Sequence, residues 1–272
     1  MKKTFLALCS IAVLLYACKD EDVITNLDLV STQATEDHLI VEQIFSDIVR
    51  IVEKGFIQNG TNNLYPSYNL INSVDSDIDT MIISFGDGDE VPFEGKIISG
   101  EITVTYNGNY RDSLTVITST FDNYNVNNNL VQGEIVIKNQ GRNNIGNLCF
   151  KIDVNNSSVN TPLNGTINWE SNRVREWVSG QNTYSDISDD IYKISGTAIG
   201  NGVNGKDFTM EITSPLELDL SCLPFSSCII KSGTAKISPN GYEDRIINYG
   251  DSLCDCNFNI TINGTNYPIV VN

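Results

Sequence analysis

From Thr80 to the C-terminus, short runs of β-branched and aromatic residues alternate with glycine and asparagine turns. Nothing else in the chain restricts its fold as strongly. Such runs form strands, and turns this short join neighbours that run antiparallel. The runs predict strands near 80–85, 96–106, 112–121, 130–139, 148–154, 165–170, 173–178, 190–199, 207–214, 229–238, 242–249, 257–262 and 265–271. Asn107-Gly108-Asn109, residues 202–205 and Asn263-Gly264 supply short connections. Pro268 has no N–H to give a ladder, which places the last strand at an edge. Within 96–106, Ile98, Ile102, Val104 and Tyr106 share one face while Ser99, Glu101, Thr103 and Thr105 share the other. One face is dry and the other wet. The expected fold is mainly β, a long antiparallel meander sheet, curled or folded into two layers.

One segment carries a different period. Over 35–54, Ile40, Val41, Ile44, Phe45, Ile48, Ile51 and Val52 recur at the spacing of one helical face. Thr35 can cap this amphipathic helix, Glu36 and Asp37 suit its positive end, and Gly55 can end it. Glu42, Asp47, Arg50 and Glu53 fall off the apolar face, so the helix is expected to cover one side of the sheet with these residues turned away. Docking of a partner on the helix is the alternative. His38, at its start, reads as a surface residue. Residues 56–79 read as a loop-rich link, with turn signals at Asn59-Gly60 and Tyr65-Pro66.

The N-terminus is of another kind again. Lys2 and Lys3 precede an apolar run over 4–15 that is shorter than the roughly 20 residues of a membrane-spanning helix. It has the form of a signal-peptide core. Leu15, Ala17 and Cys18 then resemble the cleavage box of bacterial lipoproteins, in which the cysteine becomes the first residue and carries acyl chains. Several chains on one cysteine make an anchor that rarely detaches. Lys19-Asp20-Glu21-Asp22 resembles the signal that carries lipoproteins of Bacteroidota to the outside of the outer membrane. The expected organisation is a signal peptide over 1–17, an acidic and polar tether over 18–34, and one domain over 35–272.

Charge narrows the partners. The chain carries 17 basic and 34 acidic residues, a net charge of −17. Loss of residues 1–17 would remove two lysines and no acid. A body this acidic lacks the positive footprint that nucleic acid requires. The expected partners are a membrane, through the lipid, and a glycan or an envelope protein.

Of seven cysteines, Cys9 lies in the signal and Cys18 is the lipid site. Cys149, Cys222, Cys228, Cys254 and Cys256 remain, and their spacings fit no standard zinc site. An exported chain permits disulfides. Residues 229–238 and 242–249 read as a hairpin around Pro239-Asn240-Gly241. With Asn240 and Gly241 as its loop, Cys228 faces Leu253, and one bulge brings it opposite Cys254. Cys228–Cys254 is therefore expected, with Cys222–Cys256 beside it and Cys149 a lone buried thiol.

Catalytic signals are sparse. His38 is the only histidine, and no Gly-x-Ser-x-Gly elbow is present. No cofactor or metal is expected. Asp75-Ser76-Asp77-Ile78-Asp79 and Asp87-Gly88-Asp89-Glu90 offer oxygen ligands for calcium but read better as acidic turns. Trp169 and Trp177 flank an expected turn around 171–173; exposed, they would stack on sugar rings, and buried, they would anchor a core. Asp79-Thr80-Met81, Asp112-Ser113-Leu114 and Asp251-Ser252-Leu253 resemble a short O-glycosylation motif of Bacteroidota.

Taken together, Phe85-Gly86-Asp87-Gly88, Arg175-Glu176-Trp177, Asn204-Gly205 and Tyr249-Gly250-Asp251 with Cys254-Asp255 resemble all-β outer-membrane lipoproteins of Bacteroidota without a characterised activity. The likeness covers Thr80 to the C-terminus, and its motifs are turns and packing positions. Cys222 and Cys256 depart from the pattern. The resemblance implies an envelope lipoprotein and carries over no catalytic residue. The expected function is binding or structural. The alternatives are a glycan hydrolase using two carboxylates and an accessory subunit of an outer-membrane complex.

Overall fold

A computed structural model describes residues 31–58, 66–71, 77–86, 91–162, 165–183, 186–226 and 228–270. The expected signal peptide, Cys18 and Lys19 to Asp22 lie outside the described residues. One helix, α1 (Gln33–Gln58), precedes β1 (Ser67–Ile71), β2 (Asp79–Ser84), β3 (Val91–Phe93), β4 (Lys96–Tyr106), β5 (Val116–Val126), β6 (Asn129–Arg142) and β7 (Leu148–Thr161). There follow β8 (Gly165–Ser179), β9 (Ile191–Asn201), β10 (Asp207–Asp219), β11 (Ile230–Pro239), β12 (Arg245–Asp251), β13 (Asn257–Ile262) and β14 (Thr265–Val270).

Thirteen strands form one antiparallel path in chain order, with the short β3 paired beside β4. The sheet does not close on itself, and its edges are β1 and β14. Pro268 sits on the edge strand, opposite Asn259. The mainly β meander and its single helix agree with the sequence reading. Two details differ. The link expected to be loop-rich contains β1, and β8 runs straight through the turn expected at 171–173. Ser171 and Arg173 pair with both neighbouring strands there, because their side chains continue the inward row of the strand.

The helix corrects the sequence reading most. It does not lie on one side of the sheet with its charged residues outward. It touches β2, β8 and β11, strands far apart in sheet order, so the sheet curls around it. Val41, Phe45, Ile48, Ile51 and Val52 are buried, and so are His38, Glu42, Asp47, Arg50 and Glu53. Such a helix needs partners for its charges on every side. Glycine bulges supply the curl. At Gly133 the register between β6 and β7 shifts, φ is +117°, and a Cβ would meet the Ser157 backbone at 2.6 Å.

The outer face of the sheet is polar. Along β8, Ile167, Trp169, Ser171, Arg173, Arg175 and Trp177 point inward while Thr166, Asn168, Glu170 and Asn172 are exposed. A surface of this kind belongs in water rather than against acyl chains. Among the described residues no helix is long and apolar enough to cross a membrane.

Because the strands alternate in direction, their connections fall at two rims. The near rim carries the turns β5–β6, β9–β10, β11–β12 and β13–β14. The chain enters there: Arg245 Nε donates to the Ser31 carbonyl at 3.1 Å, and the Val203 N–H donates to Asp37 at 3.0 Å. The far rim carries the connections β1–β2, β4–β5, β6–β7, β8–β9, β10–β11 and β12–β13.

Candidate functional site

Among the described residues a broad concavity lies on the outer face, over β7 to β11, with a volume of about 780 Å³. Two cross-strand rows of side chains line it. Ser158 pairs with Asn168, Asn168 with Asn201, and Asn201 with Asp207. In the adjacent row Glu170 pairs with Ile199, Ile199 with Thr209, and Thr209 with Ser238. Outward positions on neighbouring strands lie about 5 Å apart, so four strand gaps give a shelf roughly 19 Å wide. Asn201 Nδ2 donates to Asp207 Oδ1 at 2.8 Å, and the Asn156 N–H donates to Glu170 Oε1 at 3.3 Å. Ile199, more than half exposed, is an apolar platform among these polar groups. Beneath the shelf Gly200 leaves room for the Phe208 ring, which any Cβ there would strike. Most lining residues carry amides, hydroxyls or, at Glu170 and Asp207, carboxylates, with Ile199, Trp169 and Phe208 as the apolar ones and no lysine or arginine among them.

A second polar assembly is interior. Arg173 Nη2 donates to Glu42 Oε2 at 2.6 Å, and His38 Nε2 lies 3.4 Å from the same oxygen. Burial pushes the Glu42 carboxyl up, but Arg173 and then His38 more than offset it and hold it below its usual range. Burial lowers His38 to about 4, with Glu42 pulling the other way and Arg173 adding to the drop. The imidazole is therefore neutral at pH 7. It has none of the geometry of a catalytic base: Tyr249 Oη is 3.5 Å away and no serine or cysteine is aligned with it.

Further along the helix, Tyr192 Oη contacts Glu53 Oε1 at 2.9 Å and Asp190 Oδ2 at 3.2 Å, and Trp177 Nε1 donates to Asp190 Oδ1 at 3.0 Å. Arg175 Nη2 lies 3.3 Å from Glu53, and its guanidinium stacks 3.4 Å from the Tyr192 ring centroid. Burial, then the Glu53 charge, raises Asp190 to about 7. Tyr192 has one proton for two carboxylates. A proton on Asp190 lets Asp190 donate to Tyr192 while Tyr192 donates to Glu53. Asp47 pairs with Lys96 and with Arg50 Nη2, which also pairs with Glu94. Between α1 and β8 lies a cavity of about 40 Å³, room for a few waters beside Ser171 and Arg173.

Several sequence expectations change here. Of the two readings open for Trp169 and Trp177, the core anchor holds and the sugar platform does not, because the continuous β8 turns both inward. His38 is fully buried, not a surface residue. The bridges are Cys222–Cys254 and Cys228–Cys256, not the crossed pairs expected. The hairpin register explains this. Ile237 pairs with Arg245, one residue away from the expected alignment, and the bulge past Thr234 sets Ser232 opposite Asp251. Cys228 thereby reaches Cys256, and Cys222, in the turn after β10, reaches Cys254. Cys149 is free and half-buried.

Asp75, Ser76 and 87–90 lie outside the described residues, and no group of three metal-ligating side chains is found among the described residues. Ser113 and Ser252 of the glycosylation-like tripeptides are exposed at the far rim. The shelf residues Asn168, Asn201, Asp207 and Ile199 escaped sequence reasoning. Their signal was an outward row rich in amides with an isoleucine inside it. No protein family, curated protein or solved structure matches the chain.

Proposed function

We propose that the chain is a lipid-anchored envelope lipoprotein, held through Cys18 and turned to the cell exterior by Lys19-Asp20-Glu21-Asp22, which binds a neutral, hydroxyl-rich ligand such as a glycan on its outer shelf. The lining of the shelf carries this reading. Its volume is that of a small-ligand site. Glu170 and Asp207, with no cation beside them, repel anionic ligands. Amides and hydroxyls in rows match a ligand that offers donors and acceptors in repeating order.

A glycan array probed with the Cys18→Ser chain tests the ligand. Binding to neutral glycans should be lost in Asn201→Ala and Ile199→Asp while the melting temperature holds. No binding, or binding unchanged in both variants, overturns the reading. Labelled palmitate incorporated at Cys18, and removal of the protein from intact cells by external protease, test the anchor and its side.

A hydrolytic role has one specific observation in its favour, that Glu170 and Asp207 line the same shelf. Release of reducing ends by the wild type and not by Asp207→Asn, with binding kept, would establish it. Absence of product from every glycan bound would dismiss it.

A further inference from the structure

We infer that the far rim is a docking surface for a basic protein partner standing outward from the membrane. Among the described residues seven large apolar side chains are between 49% and 82% exposed: Ile199 on the shelf, and Ile71, Ile78, Leu114, Ile145, Phe225 and Leu253. The last six all fall at the far rim, at the end of β1 or in the connections β1–β2, β4–β5, β6–β7, β10–β11 and β12–β13. The near-rim turns Asn127-Asn128, Asn240-Gly241 and Asn263-Gly264 are built from small polar residues instead, and beside them only Ile97, 42% exposed and hydrogen-bonded to Asn127, is a large exposed apolar side chain. Scattered exposed apolar side chains need no explanation, but six of the seven most exposed gathering at one end do. Thirteen strands at about 4.8 Å make a perimeter near 60 Å, so the tips ring a disc about 20 Å across. Two of them are held firmly, since Cys222–Cys254 and Cys228–Cys256 clamp together the loops bearing Phe225 and Leu253.

Charge and tether choose the occupant. Asp77, Asp112, Asp186, Asp189 and Asp251 are exposed among the tips, against Arg111 and Arg142. Arg111 already donates to the Gln181 carbonyl, and Arg142 to Gln181 and the Gly146 carbonyl. The rim therefore repels an anionic bilayer and a second copy of this acidic chain alike, and attracts lysine and arginine. The chain enters at the opposite rim. Residues 18–30 reach at most about 45 Å when taut. The 15 residues of β8 alone extend about 50 Å, so the tether cannot comfortably turn the far rim to the anchoring bilayer. This orientation rests on the Cys18 anchor proposed above; the charge argument does not.

The test places a photo-crosslinking amino acid at Phe225, Ile145 or, on the near rim, Thr166 of the full-length protein in its own envelope. One discrete protein should be captured from Phe225 and Ile145 and not from Thr166. The captured chain should be basic, capture should weaken at high salt, and Leu253→Ser with Leu114→Ser should cut the Ile145 yield about tenfold, the loss of roughly one hot-spot contact. Capture of lipid, of a second copy, of an acidic chain, equal labelling at Thr166, or no labelling overturns the inference. Palmitate labelling of the same cells reports separately whether the anchor is present. Unlabelled Cys18 with rim capture intact would sink the anchor alone.

Discussion

Asp190→Asn and His38→Gln should tilt the pH dependence of stability in opposite directions. Folding raises Asp190 from 3.8 to about 7, so below pH 7 the folded chain binds a proton that the unfolded chain releases until about pH 4. Its contribution grows as pH falls through that window and is lost as pH rises through 7. Folding lowers His38 from 6.5 to about 4, so the unfolded chain takes the proton first and stability falls as pH drops from 6.5 toward 4. At about 1.4 kcal/mol per pH unit, the His38 shift corresponds to about 3 kcal/mol. The Asp190 shift corresponds to about 4 kcal/mol, which solvent screening reduces to about 2 kcal/mol. The two largely cancel in the wild type. His38 faces Glu42, Arg173 and Tyr249; Asp190 faces Glu53, Arg175, Trp177 and Tyr192. Urea unfolding from about pH 7.5 to about pH 4.5 reads the difference. Relative to wild type, Asp190→Asn should lose about 2 kcal/mol on acidification and His38→Gln should gain about 3 kcal/mol. Variant curves that run parallel to wild type would refute the reasoning, because neither group would then bind its proton differently in the fold.

Arg173→Met leaves Glu42 buried without its cation and should cost about 3–5 kcal/mol in urea unfolding, most of it recovered by adding Glu42→Leu. Each disulfide, spanning 32 or 28 residues of sequence, should contribute about 3 kcal/mol, so reduction should lower the midpoint markedly. Chymotrypsin cutting at Phe225 and Tyr249, with cleavage before Asp255, separates all four cysteines, and mass analysis should find Cys222 with Cys254 and Cys228 with Cys256. Gly200→Val drives a side chain into Phe208 and should cost about 1–3 kcal/mol, read as a lower melting temperature.

The sheet was legible because its signals are local. Period-two runs and Asn-Gly turns specify strand and partner within a dozen residues, as at Ile98, Ile102 and Val104, all buried. The helix was legible as a helix for the same reason. Its setting was not, because Glu42, Asp47 and Glu53 have the sequence of a solvated face, and their partners Arg173, Lys96 and Tyr192 lie far along the chain. One clue stood in β8, where Trp169, Arg173, Arg175 and Trp177 share a period-two row: residues that flank buried aromatics on one face are themselves inside. The disulfide pairing turned on a single residue of register between β11 and β12, which a turn sequence alone leaves open.

The buried helix sets the order of assembly. Glu42 waits for Arg173, 131 residues later, and Glu53 for Tyr192, 139 residues later. A chain synthesised N-terminus first thus delivers its innermost piece before its walls exist. Until β8 and β9 arrive, those carboxylates remain hydrated and the helix has nothing to settle into. Maturation must be slow and late, governed by contacts of long range. A chain truncated before Tyr192 should remain protease-sensitive throughout, helix included.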